Sequence, residues 1–529
     1  MADEGRKRKM QRKKGANLMK NLFKKIGALL VAAVMVLAMA STAFADDATT
    51  TNATITVKVG NDALAITGNN AATIWCKQVI EPDTTTETGW KFSEGAESAF
   101  TSNLGNVDAQ TAIKMLANKV TSNKYSNIAA ATDAQFESAL AAVTMDEANK
   151  VSSNPFEATK AGVYAIKAAQ DGYTYKEMAA YVGFSDSMTV TGNVDVAAKR
   201  SDKTVTKDVE EAETDHVVAI GDTKTYTVKT QIPAFTPTDN NKYFAIKDII
   251  TGAEYVKGVD GKVKVTVKIG DKDVTDYVVS DVTKTNDEKD TFTVILKNNK
   301  SGEQAVDAKV DAKSVINDAN SYYGQEVVIT YQAKITEVTA SNTAYGNVGN
   351  DEKGSEPVNL YTGEITLTKK DATDENKKLA GAGFEVRKKA KETGEESAAL
   401  NFKKIQDGVY LYVPEAKAGE TTTEVVTKAD GTVKVQGLDV GTYTFKEVTA
   451  PKGYSVNTKD TPTVELKVEE DGGVASGVIS KGTEITDTKL NALPSTGGMG
   501  TYLFTIIGVV VMAGAAGAFF ISRRKGSEE

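Results

Sequence analysis

Short stretches of alternating apolar and polar residues dominate the chain between its two ends. Every second side chain of a β-strand lies on the same face, so this pattern predicts strands with one buried face. In the first third of the chain it predicts strands at 54–59 and 74–80. Apolar residues at helical spacing, with many alanines, predict helices at 109–120 and 134–143. The first part of the chain should therefore be a mixed α+β domain.

The alternation continues through the rest of the chain without helical stretches. It predicts strands at 205–209, 221–228, 243–255, 327–338, 363–371, 379–386 and 441–447. These stretches are rich in Val and Thr, which is typical of β-domains. A chain of 529 residues is too long for a single hydrophobic core. We therefore expect a mainly β protein of about three domains.

The N-terminus combines basic residues with an apolar run. A basic segment precedes the apolar residues 26–40, and the sequence STAFA follows directly. Basic residues, a short apolar run and an Ala-x-Ala sequence are the parts of a secretory signal peptide. We expect residues 1–45 to be a signal peptide cleaved after Ala45, with Met19 as a possible true start.

The C-terminus has a second apolar run between distinctive neighbours. Residues 502–521 are apolar and about long enough to span a bilayer, which predicts a single transmembrane helix in the precursor. The basic residues 523–525 follow and should remain inside. The run is preceded by the pentapeptide Leu493, Pro494, Ser495, Thr496 and Gly497.

Charge is distributed unevenly along the chain. The formal net charge is −8, but both ends are basic, and residues 46–496 contain 50 basic and 67 acidic residues, a net charge of −17. A strongly acidic middle is unsuited to binding nucleic acid and suits a soluble, exported surface.

The chain contains a single cysteine, Cys76, and a single histidine, His216. An intrachain disulfide and a His-rich metal site are therefore excluded. We expect the chain to bind no cofactor and no metal, and we do not expect it to be an enzyme that acts on an outside substrate. An exported protein without disulfides must be stabilised in another way.

Three ionisable residues continue the apolar faces of predicted strands near the end of the chain. Lys369 continues the alternation within 363–371, Glu447 does so within 441–447, and Asp487 does so in the last strand. An ionisable group is costly to bury alone. Their shared position suggests that the three side chains meet in one core.

The pentapeptide, the apolar run and the basic tail together resemble the cell-wall sorting signal of Gram-positive sortase substrates. The resemblance implies acyl transfer. A sortase cysteine attacks the carbonyl carbon of Thr496, the amine of Gly497 leaves, and Thr496 is passed to another amine. The catalytic groups belong to the sortase.

The segment 361–490 resembles the B-type immunoglobulin-like domain of collagen-binding adhesins and of Gram-positive pilin subunits. The resemblance lies in the sequences GEITLTKKD, LAGAGFEV, GTYTFKE, APKGY and ITD, and the stretch around Glu447 resembles the pilin "E box". In such domains a first-strand lysine forms an isopeptide bond with an Asn or Asp of the last strand. The resemblance implies Lys369 as the amine, Asp487 as the electrophile that releases water, and Glu447 as the catalytic acid. The alternative is a buried salt bridge without a covalent bond.

The middle part of the chain resembles the central immunoglobulin-like domain of pilin backbone subunits. This resemblance implies a second isopeptide bond, with Lys207 as the amine and Asp248 as the catalytic acid. We predict Asn342 as the acceptor, in preference to Asn347 and Asn350. The alternative is that Asn342 is an ordinary surface asparagine.

The sequence VDVAAK at 194–199 resembles the pilin motif, whose lysine is joined to the next subunit. Ala197 and Ala198 stand where the motif has Tyr and Pro. Alternation predicts that Lys199 points away from its apolar neighbours and towards solvent. Lys199 is therefore the predicted intersubunit lysine, with Lys203 as the nearest competitor.

These resemblances imply tandem immunoglobulin-like β-sandwich domains after a mixed α+β pilin domain. The predicted divisions are a signal peptide at 1–45, an N-terminal domain at 46–198, a middle domain at 199–360, a C-terminal domain at 361–490 and a sorting signal at 491–529.

The function implied by the resemblance is that of a pilus shaft subunit with a role in adhesion, secreted and anchored to the cell wall. Its implied partners are a pilin-class sortase, a housekeeping sortase, copies of itself, ancillary pilins, peptidoglycan and possible host surface ligands. The alternative is a monomeric or ancillary wall-anchored adhesin that binds a host or matrix ligand.

Overall fold

The structure is a computed structural model that describes residues 52–83, 85–86, 88–120, 127–184, 190–210, 215–300, 323–469, 473–490 and 500–525. The predicted signal peptide at 1–45 and the pentapeptide at 493–497 lie outside the described residues. The chain forms two compact units. The first comprises residues 1–213, 223–336 and 340–359, and the second comprises 214–222, 337–339 and 360–529. The predicted boundary between 198 and 199 falls inside the first unit, and the three-domain division stays a prediction.

The N-terminal part of the first unit is mixed α+β, as predicted. Its strands are β1 (Ala53–Val59), β2 (Asp62–Ala63), β3 (Thr73–Pro82), β4 (Trp90–Phe92), β5 (Phe156–Ala158), β6 (Gly162–Ala169), β7 (Tyr173–Tyr175), β8 (Met178–Phe184), β9 (Val190–Thr191), β10 (Val194–Ala197) and β11 (Arg200–Asp202). Its helices are α1 (Glu97–Leu104), α2 (Ala109–Val120), α3 (Asp133–Ala142) and the short 3-10 helix Glu147–Asn149.

Two larger sheets and a two-stranded sheet, β11-β7, organise this part of the chain. One larger sheet has the order β10-β1-β2, with β5 also paired to β1, and the other has the order β4-β3-β6-β8-β9. Strand β1 buries Ile55 and Val57 on alternate positions, and the parallel pairing with β10 brings Val196 to the same cluster. The helices pack Phe100 and Leu140 into a second cluster. The Thr132 side chain caps α3 by accepting a hydrogen bond from the Gln135 N–H.

The second part of the first unit is a β-sandwich. Its strands are β12 (Thr206–Val209), β13 (Thr223–Gln231), β14 (Asn241–Thr251), β15 (Ala253–Tyr255), β16 (Val265–Ile269), β17 (Lys272–Val274), β18 (Val278–Val279), β19 (Thr283–Lys284), β20 (Asp290–Lys300), β21 (Glu326–Ile335), β22 (Thr339–Val348) and β23 (Asp351–Gly354). One sheet has the order β12-β13-β21-β16-β17 and the other has the order β18-β20-β14-β22-β23.

An aromatic cluster joins the two sheets of this sandwich. The ring of Phe292, from β20, makes edge-on contacts with Tyr255 and with Tyr331 of the facing sheet, at centroid distances of 4.8 and 5.2 Å. Tyr226 stacks on Tyr331 at 5.8 Å. All four side chains are buried. The sandwich therefore has an interior whose tyrosine hydroxyl groups need polar partners.

The second unit contains the other β-sandwich. Its strands are β25 (Gly363–Asp371), β26 (Gly383–Lys389), β27 (Asn401–Gln406), β28 (Val409–Val413), β29 (Glu424–Val426), β30 (Thr432–Leu438), β31 (Gly441–Thr449), β32 (Thr463–Leu466) and β33 (Ile479–Asp487). The preceding strand, β24 (Val358–Tyr361), spans the boundary between the units. The sheets have the orders β27-β28-β30-β25-β33 and β29-β26-β31-β32.

The first and last strands of this sandwich are parallel neighbours. Gly363 of β25 is opposite Ile479 of β33, and Asp371 is opposite Asp487. Burial alternates strictly along β25, as its sequence predicts. The hydrophobic core contains side chains of both sheets, among them Leu367 from β25. Pairing of β25 with β33 brings residues more than one hundred positions apart in sequence into one core.

The predicted transmembrane segment 502–521 falls within α4 (Gly500–Lys525). In the part of the chain that the structure describes, none of the helices combines the length and the apolar composition that a bilayer crossing requires.

Candidate functional site

Lys369, Glu447 and Asp487 meet in the core of the second unit. They come from β25, β31 and β33, and the side chains of all three are fully buried. Lys369 Nζ donates a hydrogen bond to Glu447 Oε2 at 3.1 Å and a second one to Asp487 Oδ1. The ring of Phe384 lies 5.6 Å from the same nitrogen. An amine is thus held against two carboxyl groups in an apolar setting.

The two carboxyl groups are incompletely satisfied. Glu447 Oε2 also accepts a hydrogen bond from the Asn457 N–H at 2.8 Å. Glu447 Oε1 and Asp487 Oδ2 are buried without a hydrogen-bond partner in the described part of the chain. Burial raises the pKa of Glu447 above its ordinary value, and the Asn457 N–H and Lys369 oppose that shift. A protonated Glu447 could donate to a neighbouring oxygen, which a general acid must do.

A third buried acid lies beside this cluster. Asp371, opposite Asp487 in the register, accepts hydrogen bonds from the Thr373 N–H at 2.9 Å and from the Tyr454 hydroxyl at 2.8 Å. Lys489 lies 3.2 Å from the same carboxylate. These donors hold the pKa of Asp371 below its ordinary value. Asp371 therefore stays charged and serves to hold the ends of β25 and β33 in place.

The depressed pKa of Asp371 makes a prediction about pH. Because the pKa is lower in the folded state, its stabilisation is present above the ordinary aspartate pKa and is lost as the pH falls through the folded value. Asp371→Asn should therefore melt at a lower temperature than the wild type at about pH 7, with a difference that shrinks towards about pH 2. Calorimetry at both pH values measures this. Asp374→Asn, at an exposed position, is the control, and an equal difference at both values would contradict the prediction.

A second cluster lies between the sheets of the middle sandwich. Lys207 Nζ, from β12, donates a hydrogen bond to Asp248 Oδ2 of β14 at 2.6 Å, and both side chains are buried. Lys207 Nζ also contacts the hydroxyl of Tyr331. Asn342 of β22 donates from Nδ2 to the same hydroxyl at 2.9 Å. Burial lowers the pKa of Lys207, and the charge of Asp248 opposes that shift.

Asn342 differs from its two competitors in its position. It is fully buried rather than at the surface, because the even positions of β22 face the core. Asn347 lies on the opposite face of β22 and donates to the Tyr345 carbonyl at 3.4 Å. Asn350 is exposed and accepts a hydrogen bond from Asn241 at 2.6 Å. Of the three, Asn342 is the one whose side chain contacts the Lys207 cluster.

Sequence reasoning missed two tyrosines of this cluster. The Tyr331 hydroxyl lies between Lys207 and Asn342, and the Tyr255 hydroxyl donates to Asp248 Oδ1 at 2.8 Å. Burial raises the pKa of both phenols far above their ordinary value. Alternation along β21 could have predicted that Tyr331 faces the core. It could not have predicted a polar role, because a tyrosine at a core-facing position fits the pattern as an apolar residue.

The prediction that Lys199 points freely to solvent is wrong. Strand β10 ends at Ala197, so the alternation does not extend to Lys199, which is half-buried. The Lys199 carbonyl accepts a hydrogen bond from the Lys176 N–H at 2.9 Å. Burial lowers the pKa of the Lys199 amine, and the charges of Glu137 and Glu177 oppose that shift.

The surroundings of Lys199 are unusually rich in buried charge. Lys176 Nζ forms an ion pair with Glu137 at 3.0 Å, and both side chains are largely buried. Glu177 is also buried, which raises its pKa. The competitor Lys203 instead pairs with Asp351 at 2.6 Å. The two candidate lysines therefore differ in that Lys203 is held by a direct ion pair.

Cys76 and His216 join none of these clusters. Cys76 is partly buried on β3, and burial raises the pKa of its thiol to about 12. His216 has a left-handed backbone conformation, with φ of 59°, and lies outside the strands. Among the described residues, no group of acidic, His and Cys side chains has the arrangement of a metal site.

Comparisons with known proteins identify two segments. Residues 363–482 match the SpaA family model, described as a prealbumin-like fold domain. Residues 485–528 match the LPXTG cell wall anchor motif. The latter segment includes the pentapeptide, so the chain carries a cell-wall anchor motif after its last β-domain.

A curated relative shares a short stretch with this chain. The chain is 52% identical over 50 residues to the trypsin-resistant surface T6 protein of Streptococcus pyogenes serotype M6. The match covers 10% of this chain and spans only 9% of the length of that relative.

Several solved structures are similar over most of the chain. The T6 backbone pilin of Streptococcus pyogenes is 15% identical, with a TM-score of 0.45, over 85% of this chain and 100% of its own. The major pilin SpaD of Corynebacterium diphtheriae is 18% identical, with a TM-score of 0.44, over 83% of this chain and 97% of its own. The major pilin subunit BcpA of Bacillus cereus is 16% identical, with a TM-score of 0.39, over 83% of this chain and 99% of its own.

Proposed function

We propose that this chain is the shaft subunit of a covalently polymerised pilus on the surface of a Gram-positive bacterium. The observation that carries the proposal is the combination of a cell-wall anchor motif at 485–528 with the buried cluster of Lys369, Glu447 and Asp487 before it. The motif provides covalent attachment. The cluster provides the chemistry to stabilise an exported domain that cannot form a disulfide.

The joining reaction in this proposal is sortase-catalysed acyl transfer. The sortase thiolate attacks the carbonyl carbon of Thr496, and the bond to Gly497 breaks as that amine takes a proton. A lysine of the next subunit, proposed as Lys199, attacks the thioester and releases the thiol. The result is an amide between Thr496 of one copy and Lys199 of another. The half-buried Lys199 supports this proposal because desolvation favours the neutral, nucleophilic amine.

Internal isopeptide bonds are the second part of the proposal. In the C-terminal domain the Lys369 amine attacks Cγ of Asp487, one oxygen leaves as water, and protonated Glu447 polarises the carbonyl. In the middle domain the Lys207 amine attacks Cγ of Asn342 and ammonia leaves, with Asp248 as the acid. The contacts of each lysine with its proposed acid support these assignments.

The proposed partners follow from this chemistry. A pilin-class sortase joins the subunits, a housekeeping sortase attaches the finished polymer to peptidoglycan, and ancillary pilins complete the fibre. The subunit itself is secreted, remains on the cell wall and takes part in adhesion. Its catalytic groups act within its own domains, and it is not an enzyme for an outside substrate.

Blotting of cell-wall extracts tests the proposed function. The wild-type chain should give a ladder of high-mass species. Thr496→Ala should give the monomer alone, because the variant lacks the threonine of the LPXTG motif that a sortase must recognise before it attacks the adjoining carbonyl. Ser495→Ala, at the variable position of the pentapeptide, is the control and should keep the ladder. A single band from the wild type would reject the shaft and favour the monomeric adhesin.

A further inference from the structure

The Tyr331 hydroxyl lies at the centre of the middle cluster. It contacts Lys207 Nζ and accepts a hydrogen bond from Asn342 Nδ2 at 2.9 Å. The hydroxyl therefore touches both the nitrogen that would attack and the nitrogen that would leave. Asp248 Oδ2 also accepts a hydrogen bond from Lys207 Nζ, at 2.6 Å. These contacts distinguish Tyr331 from a tyrosine that only fills space in an apolar core.

Formation of an amide from an amine and a carboxamide moves protons between two nitrogens. The attacking amine becomes positively charged when its bond to Cγ forms, so it must lose a proton. The amide nitrogen is a poor leaving group until it gains one. A group that contacts both nitrogens can carry out both transfers in one motion.

We propose that Tyr331 is a catalytic residue of the Lys207–Asn342 bond, in which its hydroxyl takes a proton from the attacking amine while giving its own proton to the leaving nitrogen. This inference rests on the isopeptide bond proposed for the middle domain. It adds a proton relay to the acid already assigned to Asp248.

The reaction balances in atoms and charge. Lys207 first passes one proton to Asp248, which makes a neutral amine and a neutral acid. The amine forms a bond to Cγ of Asn342, and the proton of Asp248 supports the negative charge on Oδ1. Tyr331 then relays one proton from the new C–N nitrogen to Nδ2. The bond between Cγ and Nδ2 breaks, ammonia leaves, and Asp248 recovers its proton as the carbonyl reforms.

Several features of the structure support the relay. The Tyr331 side chain is buried, and burial raises its pKa far above the ordinary value, so the phenol stays neutral between transfers. Its ring is held by Phe292 at 5.2 Å and by Tyr226 at 5.8 Å. Asn342 Oδ1 is buried without a hydrogen-bond partner among the described residues, which leaves it able to accept the proton of Asp248.

The Tyr255 hydroxyl contacts the acid of the cluster. It donates to Asp248 Oδ1, the oxygen that does not contact Lys207. It therefore orients the acid and does not contact either reacting nitrogen by a described hydrogen bond. Of the two tyrosines, Tyr331 is the one whose hydroxyl contacts both Lys207 Nζ and Asn342 Nδ2.

The test follows ammonia loss from the full chain after cell-free synthesis, by intact mass at successive times and by a cross-linked peptide that contains Lys207 and Asn342. Tyr331→Phe keeps the ring and removes the relay, so we expect ammonia loss to slow by about 100-fold or more. Tyr226→Phe removes a hydroxyl from the neighbouring ring and should retain the wild-type rate. Circular dichroism reports whether each variant has folded.

A second variant separates proton transfer from packing. Replacement of Tyr331 by 3-fluorotyrosine keeps the ring and the hydroxyl but makes the phenol more acidic, so the relay predicts a changed rate of ammonia loss. Wild-type rates for both the Phe and the fluorotyrosine variants would overturn the role of Tyr331. A wild-type chain that never loses ammonia would instead overturn the proposed Lys207–Asn342 bond itself.

Discussion

Asp487→Ala should lower the melting temperature of the C-terminal domain by on the order of 15–20 °C. The proposed bond joins residues that are 118 positions apart in the sequence. By analogy with a disulfide that closes a loop of this length, it should stabilise the domain by about 5 kcal/mol through its effect on the unfolded chain. Calorimetry of the exported region measures the difference in melting temperature between the variant and the wild type.

Loss of stability alone does not distinguish a covalent bond from an ion pair. Removing one member of a buried ion pair is also expected to cost about 3–5 kcal/mol. The mass of the protein separates the two possibilities because the amide forms with loss of one water. The wild type should lack the mass of one water together with the ammonia of the proposed middle-domain bond, and Asp487→Ala should lack that ammonia alone.

Asp487→Asn is the matched control. An asparagine at this position would form the same amide with Lys369 but would release ammonia in place of water. The finished wild-type and Asp487→Asn proteins should therefore have identical masses and similar melting temperatures, although their sequences differ. A mass difference between them of about one dalton, with neither protein losing more than the ammonia of the middle domain, would show that the wild type has only a salt bridge at Asp487.

Lys199→Ala should convert the high-mass ladder of the wild type into monomer. The proposed joining reaction consumes one lysine amine per subunit, so its removal leaves the sortase thioester without its partner. Cell-wall extracts blotted for the protein would report the change. Lys199 is half-buried beside Glu137 and Glu177, and burial lowers the pKa of its amine, which favours the neutral, nucleophilic form. We therefore expect few other lysines to substitute for it.

Two control variants sharpen this test. Lys199→Arg keeps the positive charge but not the nucleophile, since a guanidinium remains protonated, and it should also abolish the ladder. Lys203→Ala removes the competitor that is paired with Asp351 and should leave the ladder intact. A ladder that persists in Lys199→Ala and disappears in Lys203→Ala would reassign the joining lysine.

The C-terminal cluster could be predicted from the sequence because every second side chain of each strand faces the core. Alternation on β25 continues from its apolar positions to Lys369, and the same rule places Glu447 and Asp487 on core faces. Burial of Asn342 was not predicted in this way, because apolar and polar residues alternate poorly there; it follows from the burial pattern of β22 in the structure. The pairing of these strands came from the resemblance, since alternation alone does not identify neighbours.

The sequence could not predict the contacts of the tyrosines. Tyr331 and Tyr255 fit apolar positions equally well, and their hydroxyl groups have partners on strands distant in sequence, among them Asn342 and Asp248 of the opposite sheet. The prediction that Lys199 faces solvent was wrong because it extended the alternation of β10 beyond the end of the strand at Ala197. In both cases the deciding information is tertiary.

The parallel pairing of β25 and β33 determines how the C-terminal domain would carry a mechanical load. Tension along a fibre would enter at Gly363 and leave after Asp487, at opposite ends of two neighbouring strands, so the hydrogen bonds between them would be loaded together in shear. With the proposed amide in place, the covalent path runs from Gly363 to Lys369 and directly across to Asp487. The intervening part of the domain would carry no tension, and the domain would act as a nearly inextensible link.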